Sequence, residues 1–341
     1  MTFADPVDPI DVATHHVRDI LAIAVAHAPR QRAVVVFDAQ SGLSRIVAAA
    51  YRACLPEALH IDFDAVTPSV VMDAFQSLVA GDLVVLIQST SFRLEAFRIR
   101  VELFKRGLKV IEHPHLGRMR ESEYAAYVES LAYDPAYYRT VGRRLKALID
   151  DASGAVVDTG AGARLIFDSP FESAKLNIGD YADLANVGGQ FPIGEVFTEA
   201  RVLERVHGKV RIFVFGDTQF HVNVPVEPIT LVIEAGKVAH VENSTPDFDR
   251  VIANIQAEEE VWIRELGFGM NRAFSPQRRV SDIGTFERMC GVHLSLGAKH
   301  GVYNKPNLKR KDAKFHVDVF PLVESVQLDG RTIFRNDNWC V

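Results

Sequence analysis

The chain has 341 residues, 48% hydrophobic and 24% charged, with a net charge of −6 at neutral pH. That length suits two cores better than one, and the acidic balance excludes a general nucleic-acid binder, which carries a basic surface. Three scattered cysteines, Cys54, Cys290 and Cys340, exclude a disulfide framework or zinc ribbon and fit a reducing, cytoplasmic setting. The start, Met1-Thr2-Phe3-Ala4-Asp5-Pro6, lacks a basic n-region and an apolar h-region, and no apolar run approaches the roughly 18 residues of a membrane span. Neither membrane nor nucleic acid is expected as a partner.

Val34-Val35-Val36-Phe37 reads as a short buried strand closed by the turn Asp38-Ala39-Gln40-Ser41-Gly42. A helix over 43–54 follows, then a strand at His60-Ile61-Asp62-Phe63 and a helix over 70–79. The apolar strand Leu83-Val84-Val85-Leu86-Ile87, a helix over 92–106 and a strand at Lys109-Val110-Ile111 complete the run. Short apolar strands alternating with helices predict a parallel sheet with helical crossovers. Residues 1–150 are therefore expected to form an α/β, Rossmann-like domain. The turn after the first strand has one glycine where a dinucleotide fingerprint needs two or three, which argues against a nicotinamide or flavin. Ser41, His113 and His115 fall at strand ends, where loop polarity explains them as well as substrate contact does.

Helices near 120–130 and 136–151 bridge to a second half of different texture. Ile229 to Val241, centred on Glu234-Ala235-Gly236-Lys237, reads as a hairpin. Val326-Gln327-Leu328 and Arg331-Thr332-Ile333-Phe334 flank an Asp329-Gly330 turn, a second hairpin. With a helix near 246–258, residues 151–341 are expected to be an α+β domain of mostly antiparallel strands.

Four segments of this half set an acid or imidazole in an apolar, mostly glycine-containing frame. They are Gly194-Glu195-Val196-Phe197-Thr198, Glu265-Leu266-Gly267-Phe268-Gly269-Met270-Asn271, Gly291-Val292-His293-Leu294-Ser295-Leu296-Gly297, and Phe315-His316-Val317-Asp318-Val319-Phe320. In the last, His316 and Asp318 are two apart on a strand and point to one face, half of a metal site. Each segment alone has a plainer reading. Glu195 could cap a helix at 196–204, Glu265 could pair with Arg264 or Arg272, and His293 could be a satisfied core histidine. Together, two Glu, two His and one Asp supply a mixed oxygen and nitrogen donor set, suited to Zn²⁺, Mn²⁺, Co²⁺ or Fe²⁺. Three carboxylates suffice to bridge two metals.

The order of these four motifs resembles the thermophilic metallo-aminopeptidase family, leucyl aminopeptidases of the AmpS type, over about residues 180–335. The resemblance implies a dinuclear site of two divalent ions (Zn, Co or Mn) with Glu195, Glu265, His293, His316 and Asp318 as ligands. It also implies a homodimer. Glu287 falls near a family glutamate and is the candidate general base. The family usually carries a tyrosine seven residues after the third motif's histidine. Here that position is His300, a candidate ligand, proton donor or oxyanion partner, and the nearest tyrosine is Tyr303. The expected activity is hydrolysis of a small peptide or amide by metal-activated water. The rival is a mononuclear Fe(II) ring-cleaving dioxygenase of the 2,5-dihydroxypyridine type, a family similar to the aminopeptidases that has a histidine at the Glu265 position. A third class is a metal-free binding protein. The basic run Lys309-Arg310-Lys311, flanked by Lys305 and Lys314, reads as a solvated loop, or as a reader of a substrate carboxylate.

Overall fold

The computed structural model describes residues 8–92, 94, 99–182, 184–306, 308 and 312–341. By contacts the chain divides into two units, neither continuous in sequence. The first comprises Met1–Arg139, Asn177–Ile193 and Ala273–Thr285; the second comprises Thr140–Leu176, Gly194–Arg272 and Phe286–Val341. A single cut near residue 150 does not describe this division, because two later segments return to the first unit.

In the first unit, β1 (Ala33–Phe37), β2 (Leu59–Asp62), β3 (Leu83–Ile87), β4 (Lys109–His113) and the later β8 (Gly188–Gln190) form a five-stranded sheet in the order β2-β1-β3-β4-β8. Every neighbouring pair is parallel. β3 and β4 are buried at every position, as expected of strands covered on both faces. The crossovers are α2 (Gly42–Cys54), α3 (Pro68–Gln76) and α4 (Ile99–Lys105). Ser41 caps α2 in a reciprocal box with Ser44. Val71 and Phe75 of α3 and Leu103 of α4 pack on Val34, Val36, Val84, Leu86 and Val110. α4 realises the end of the helix expected over 92–106; Arg93 and residues 95–98 lie outside the described residues. A first helix, α1 (Pro9–Asp19), capped by the Asp8 side chain, precedes the sheet. α5 (Tyr124–Ser130) and α6 (Pro135–Asp151) follow it.

His113 is part of this core. Its ring nitrogens lie 2.9 Å from the hydroxyls of Tyr51 and Tyr127, and it is fully buried. Burial lowers its pKa to about 3, so it is a neutral hydrogen-bonding bridge.

The second unit holds a mostly antiparallel sheet of fourteen strands among the described residues. They are β5 (Ala155–Asp158), β6 (Arg164–Phe167), β7 (Lys175–Asn177), β9 (Glu195–Glu199), β10 (Val206–Gly216), β11 (Val222–Asn223), β12 (Ile229–Glu234), β13 (Lys237–Glu242), β14 (Ile263–Gly269), β15 (Gly291–Leu296), β16 (Val317–Pro321), β17 (Ser325–Leu328), β18 (Arg331–Arg335) and β19 (Asn338–Trp339). The main path runs β19-β18-β17-β5-β6-β10-β16-β15-β14-β9-β7, with the β12–β13 hairpin on β10. Both expected hairpins form, and both turn through two residues of positive φ: Ala235 and Gly236, then Asp329 and Gly330. That backbone matches the right-handed twist of the flanking strands. α7 (Pro246–Gln256), capped by Thr245, buries Phe248, Val251, Ile252 and Ile255. Among the described residues no helix is long and apolar enough to cross a membrane.

Candidate metal centre

Four neighbouring strands, β16-β15-β14-β9, carry the centre on one face. Asp318 of β16 stands opposite Ser295 of β15. His293, two residues before Ser295, stands opposite Gly267 of β14. Gly269 stands opposite Glu195 of β9, and Glu265 opposite Glu199. Because alternate residues share a face, this register gathers Asp318, His293, Glu265 and Glu195. The residue after Glu195 begins no helix: Glu195–Glu199 is a strand, so Glu195 is not a helix cap.

Two local devices bring the side chains close. Gly267 has no Cβ, and the His293 imidazole lies across it. A Cβ there would sit 2.7 Å from Nδ1 and closer still to Cε1 and Nε2. A register shift between Ile263 and Leu266 lifts Glu265 out of the β14–β15 ladder, though not out of its pairing with β9, and its N–H donates to Ser295 Oγ at 2.9 Å. His293 Nε2 then lies 3.4 Å from Glu195 Oε1 and 3.3 Å from Glu265 Oε1. His300 Nε2 approaches Glu265 Oε2 at 3.0 Å, and His316 Nε2 lies 3.2 Å from Asp318 Oδ1. Glu195, Glu265 and His293 form one group whose donor atoms lie within 4.8 Å of one another; Glu287, His293 and Asp318 form another. All the sequence-expected site residues are therefore in one cluster, with His300 reaching it through Glu265 and His316 through Asp318.

Electrostatics reflects crowding of carboxylates in a buried place. Burial opposes charge on Glu265, but hydrogen bonds from His293 and His300 hold its carboxyl well below the usual range. Burial also opposes charge on His293, yet Glu195 and Glu265 raise its pKa well above normal. Asp318 outweighs burial at His316 and raises it to about 10. Glu287 has the opposite fate. Burial, reinforced by Glu195 and Asp318, pushes it up to about 8 in spite of Arg288.

The donor set fits a divalent cation. His316 Nδ1 donates to the Lys299 carbonyl at 3.1 Å, which leaves Nε2 to face Asp318. A metal-binding histidine commonly directs its second nitrogen to a backbone carbonyl in this way. Asp318 Oδ1 is buried yet makes no aligned hydrogen bond, so it retains unused capacity toward a cation. The groups are oxygen and imidazole nitrogen, the set preferred by Zn, Mn, Co and Fe(II) over thiophilic ions.

Sequence reasoning missed two features. Arg288 is buried inside the cluster: its Nη1 lies 2.9 Å from Glu195 Oε2 and also contacts Glu287 Oε1. The signal was an arginine beside Glu287, five residues before His293, in a segment already rich in buried acids. The second is a buried ion network under the loop that bears His300. Arg264, one of the two arginines that the plainer reading offered to Glu265, donates to Glu199 Oε2 at 2.6 Å. Lys305 Nζ lies 3.1 Å from Glu199 Oε1 and 2.7 Å from Glu172 Oε1, and donates to the Ala200 carbonyl at 2.8 Å. Lys305 thus ties the loop down and is not turned to a substrate. Lys314 pairs with Glu258, while Lys309, Arg310 and Lys311 lie outside the described residues. Tyr303 donates its hydroxyl to the Ser173 carbonyl at 2.7 Å. The His300 Nδ1 accepts from the N–H groups of Val302 and Tyr303, which places its proton on Nε2.

No family model and no curated protein sequence matches the chain. Among solved structures the chain is similar to 2,5-dihydroxypyridine dioxygenase from Pseudomonas putida KT2440, with 16% identity, a TM-score of 0.67, and coverage of 98% of this chain and 99% of that one. It is also similar to AmpT from Thermus thermophilus, with 15% identity, a TM-score of 0.58, and coverage of 97% and 99%. At such identities the likeness is one of fold, and it extends over both units of the chain.

Proposed function

We propose that the chain is a metal-dependent enzyme, and that its reaction is hydrolysis of a small peptide or related amide. One observation carries the reading: four carboxylates and three imidazoles converge at one sheet face, with Asp318 Oδ1 unspent. Burying this many carboxylates is expensive, and Arg288 engages only Glu195 and Glu287 among them. Glu265, His316 and Asp318, with His293 beside them, would hold a divalent ion. Once bound, such an ion polarises a carbonyl and lowers the pKa of water.

The chain's own groups supply the rest. Glu287, raised to about 8, is poised to exchange a proton near neutral pH, as a general acid or base must. His300, with its proton on Nε2, offers a donor to a developing oxyanion.

One observation favours the Fe(II) dioxygenase as the second reading. His293, His316 and Asp318 place two imidazoles and a carboxylate in the same cluster, the composition of a facial triad. The fold neighbour with the TM-score of 0.67 is also a 2,5-dihydroxypyridine dioxygenase.

The test is turnover of aminoacyl amides by chain loaded with Zn²⁺, Mn²⁺ or Co²⁺, run beside oxygen uptake with 2,5-dihydroxypyridine and Fe²⁺. Amide hydrolysis without oxygen uptake is expected. His316→Ala and Asp318→Asn should lose bound metal and turnover together, and a variant that keeps both would defeat the assignment.

A further inference from the structure

We infer that Arg288 is a built-in cation occupying the position a second metal ion would need, so that the cluster binds a single divalent ion. The inference rests on the metal-enzyme reading above and concerns how many ions that site takes.

Two donor groups share His293: Glu195 and Glu265 on one side, Glu287 and Asp318 on the other. Such a pair of groups could serve two ions. The guanidinium of Arg288, however, engages one carboxylate from each. Its Nη1 lies 2.9 Å from Glu195 Oε2 and contacts Glu287 Oε1. The carboxylates left to a metal are Glu265 and Asp318, with the imidazoles of His293 and His316. That is one ion's worth of donors.

The fold builds the arginine in. Gly269 stands opposite Glu195 in the β9–β14 register. A Cβ on Gly269 would lie 2.8 Å from the Met289 carbonyl carbon and 2.9 Å from that of Arg288. The bare glycine lets the 288–289 backbone press on β14, and the Arg288 carbonyl accepts from Asn271 N–H at 2.8 Å. Arg288 is therefore carried to Glu195 by its own main chain. Only 5% of it is exposed, so it cannot simply swing into water. Nor can it yield by losing a proton, since a guanidinium stays charged at any ordinary pH. A dication entering between Glu195 and Glu287 would meet a fixed positive charge at hydrogen-bond range from both of its ligands.

The test counts ions. Chain stripped with chelator is saturated with Mn²⁺ at about 1 mM, desalted, and analysed by mass spectrometry for metal per chain. The wild type is expected to hold one. Arg288→Met, which keeps length and loses charge, is expected to hold two, and its melting temperature should rise more with Mn²⁺ than the wild type's does. Arg288→Lys, which keeps the charge, is expected to hold one. Two ions in the wild type, or one in a folded Arg288→Met, overturns the inference. Should Arg288→Met not fold, the wild-type and Arg288→Lys counts still decide, one each in support and two against. No ion in the wild type would instead sink the metal-enzyme reading, and this inference with it.

Discussion

Gly267→Ala tests the centre with a single methyl group. Gly267 lies in a strand and does not have positive φ, so alanine's backbone preferences are met and only the space is in question. The new Cβ would fall on the His293 ring, 2.7 Å from Nδ1 and nearer to two other ring atoms. His293 is 1% exposed and lies 5.9 Å from the Phe320 ring, centroid to centroid. It can clear the methyl only by leaving Glu195 and Glu265, at 3.4 and 3.3 Å. Hydrogen bonds to charged groups contribute about 1.5–3 kcal/mol each. Losing both would cost about 3–6 kcal/mol, and recovering some by relaxation leaves about 3 kcal/mol. If that loss falls on the bound state, metal affinity drops by about a hundredfold, at about 1.4 kcal/mol per decade. Calorimetric titration with Mn²⁺ measures it directly. Gly301→Ala, where a Cβ meets nothing within 4 Å, is the control and should bind as the wild type does. If Gly267→Ala binds Mn²⁺ within about threefold of wild type, the imidazole is not held across β14 and the register argument fails.

Three further outcomes follow from buried charge and hydrogen bonding. His113 has a folded pKa of about 3 against an unfolded value of 6.5, so the native state resists protonation. Its contribution is complete above about pH 6.5 and is lost as pH falls towards 3, at up to about 1.4 kcal/mol per pH unit. His113→Phe strands the Tyr51 hydroxyl and leaves the Tyr127 hydroxyl only the Phe191 carbonyl at 3.4 Å. It should lose about 2–4 kcal/mol at pH 7 in urea unfolding and show a shallower decline between pH 6.5 and 4; an unchanged slope would refute the neutral-bridge role. Glu199→Gln leaves Arg264 and Lys305 facing a neutral amide in a buried setting and should destabilise by about 3–5 kcal/mol; a loss below about 1 kcal/mol would mean the network is solvated. Lys305→Met should lower the melting temperature without changing the ratio of KM values for acidic and neutral amides, and a selective rise for acidic ones would restore Lys305 as a substrate reader.

Much of the fold was legible because its determinants are local. The apolar runs at 34–37 and 83–87 are strands by composition, and the two hairpin turns are read from Gly236 and from Asp329-Gly330, residues that accept positive φ. The parallel order of the first sheet followed from alternation of strand and helix. The return of 177–193 to that unit as the strand after β4 did not, since Gly188-Gly189-Gln190 has little strand character of its own and pairs because Val110 and Ile111 offer an open edge.

The candidate centre divides along the same line. His316 and Asp318 are placed together by the two-residue repeat of a strand, and the acids and imidazoles in apolar frames mark themselves because burying them needs a reason. Those are properties of short segments, and the amino-acid sequence by itself determines them. Which groups face one another was decided by the tertiary structure. The β9–β14–β15 register sets Glu195 across from Gly269 and lays His293 over Gly267, and a shift in β14 frees Glu265 while Arg264 turns to Glu199. Arg288 shows the difference most plainly. In the sequence it is an arginine beside a glutamate; in the fold it is a buried cation between two carboxylates, one 93 residues earlier in the chain (288 less 195) and the other its immediate neighbour. Coulomb energy depends on distance through space and on exclusion of water, and neither is written in the spacing of residues along a chain.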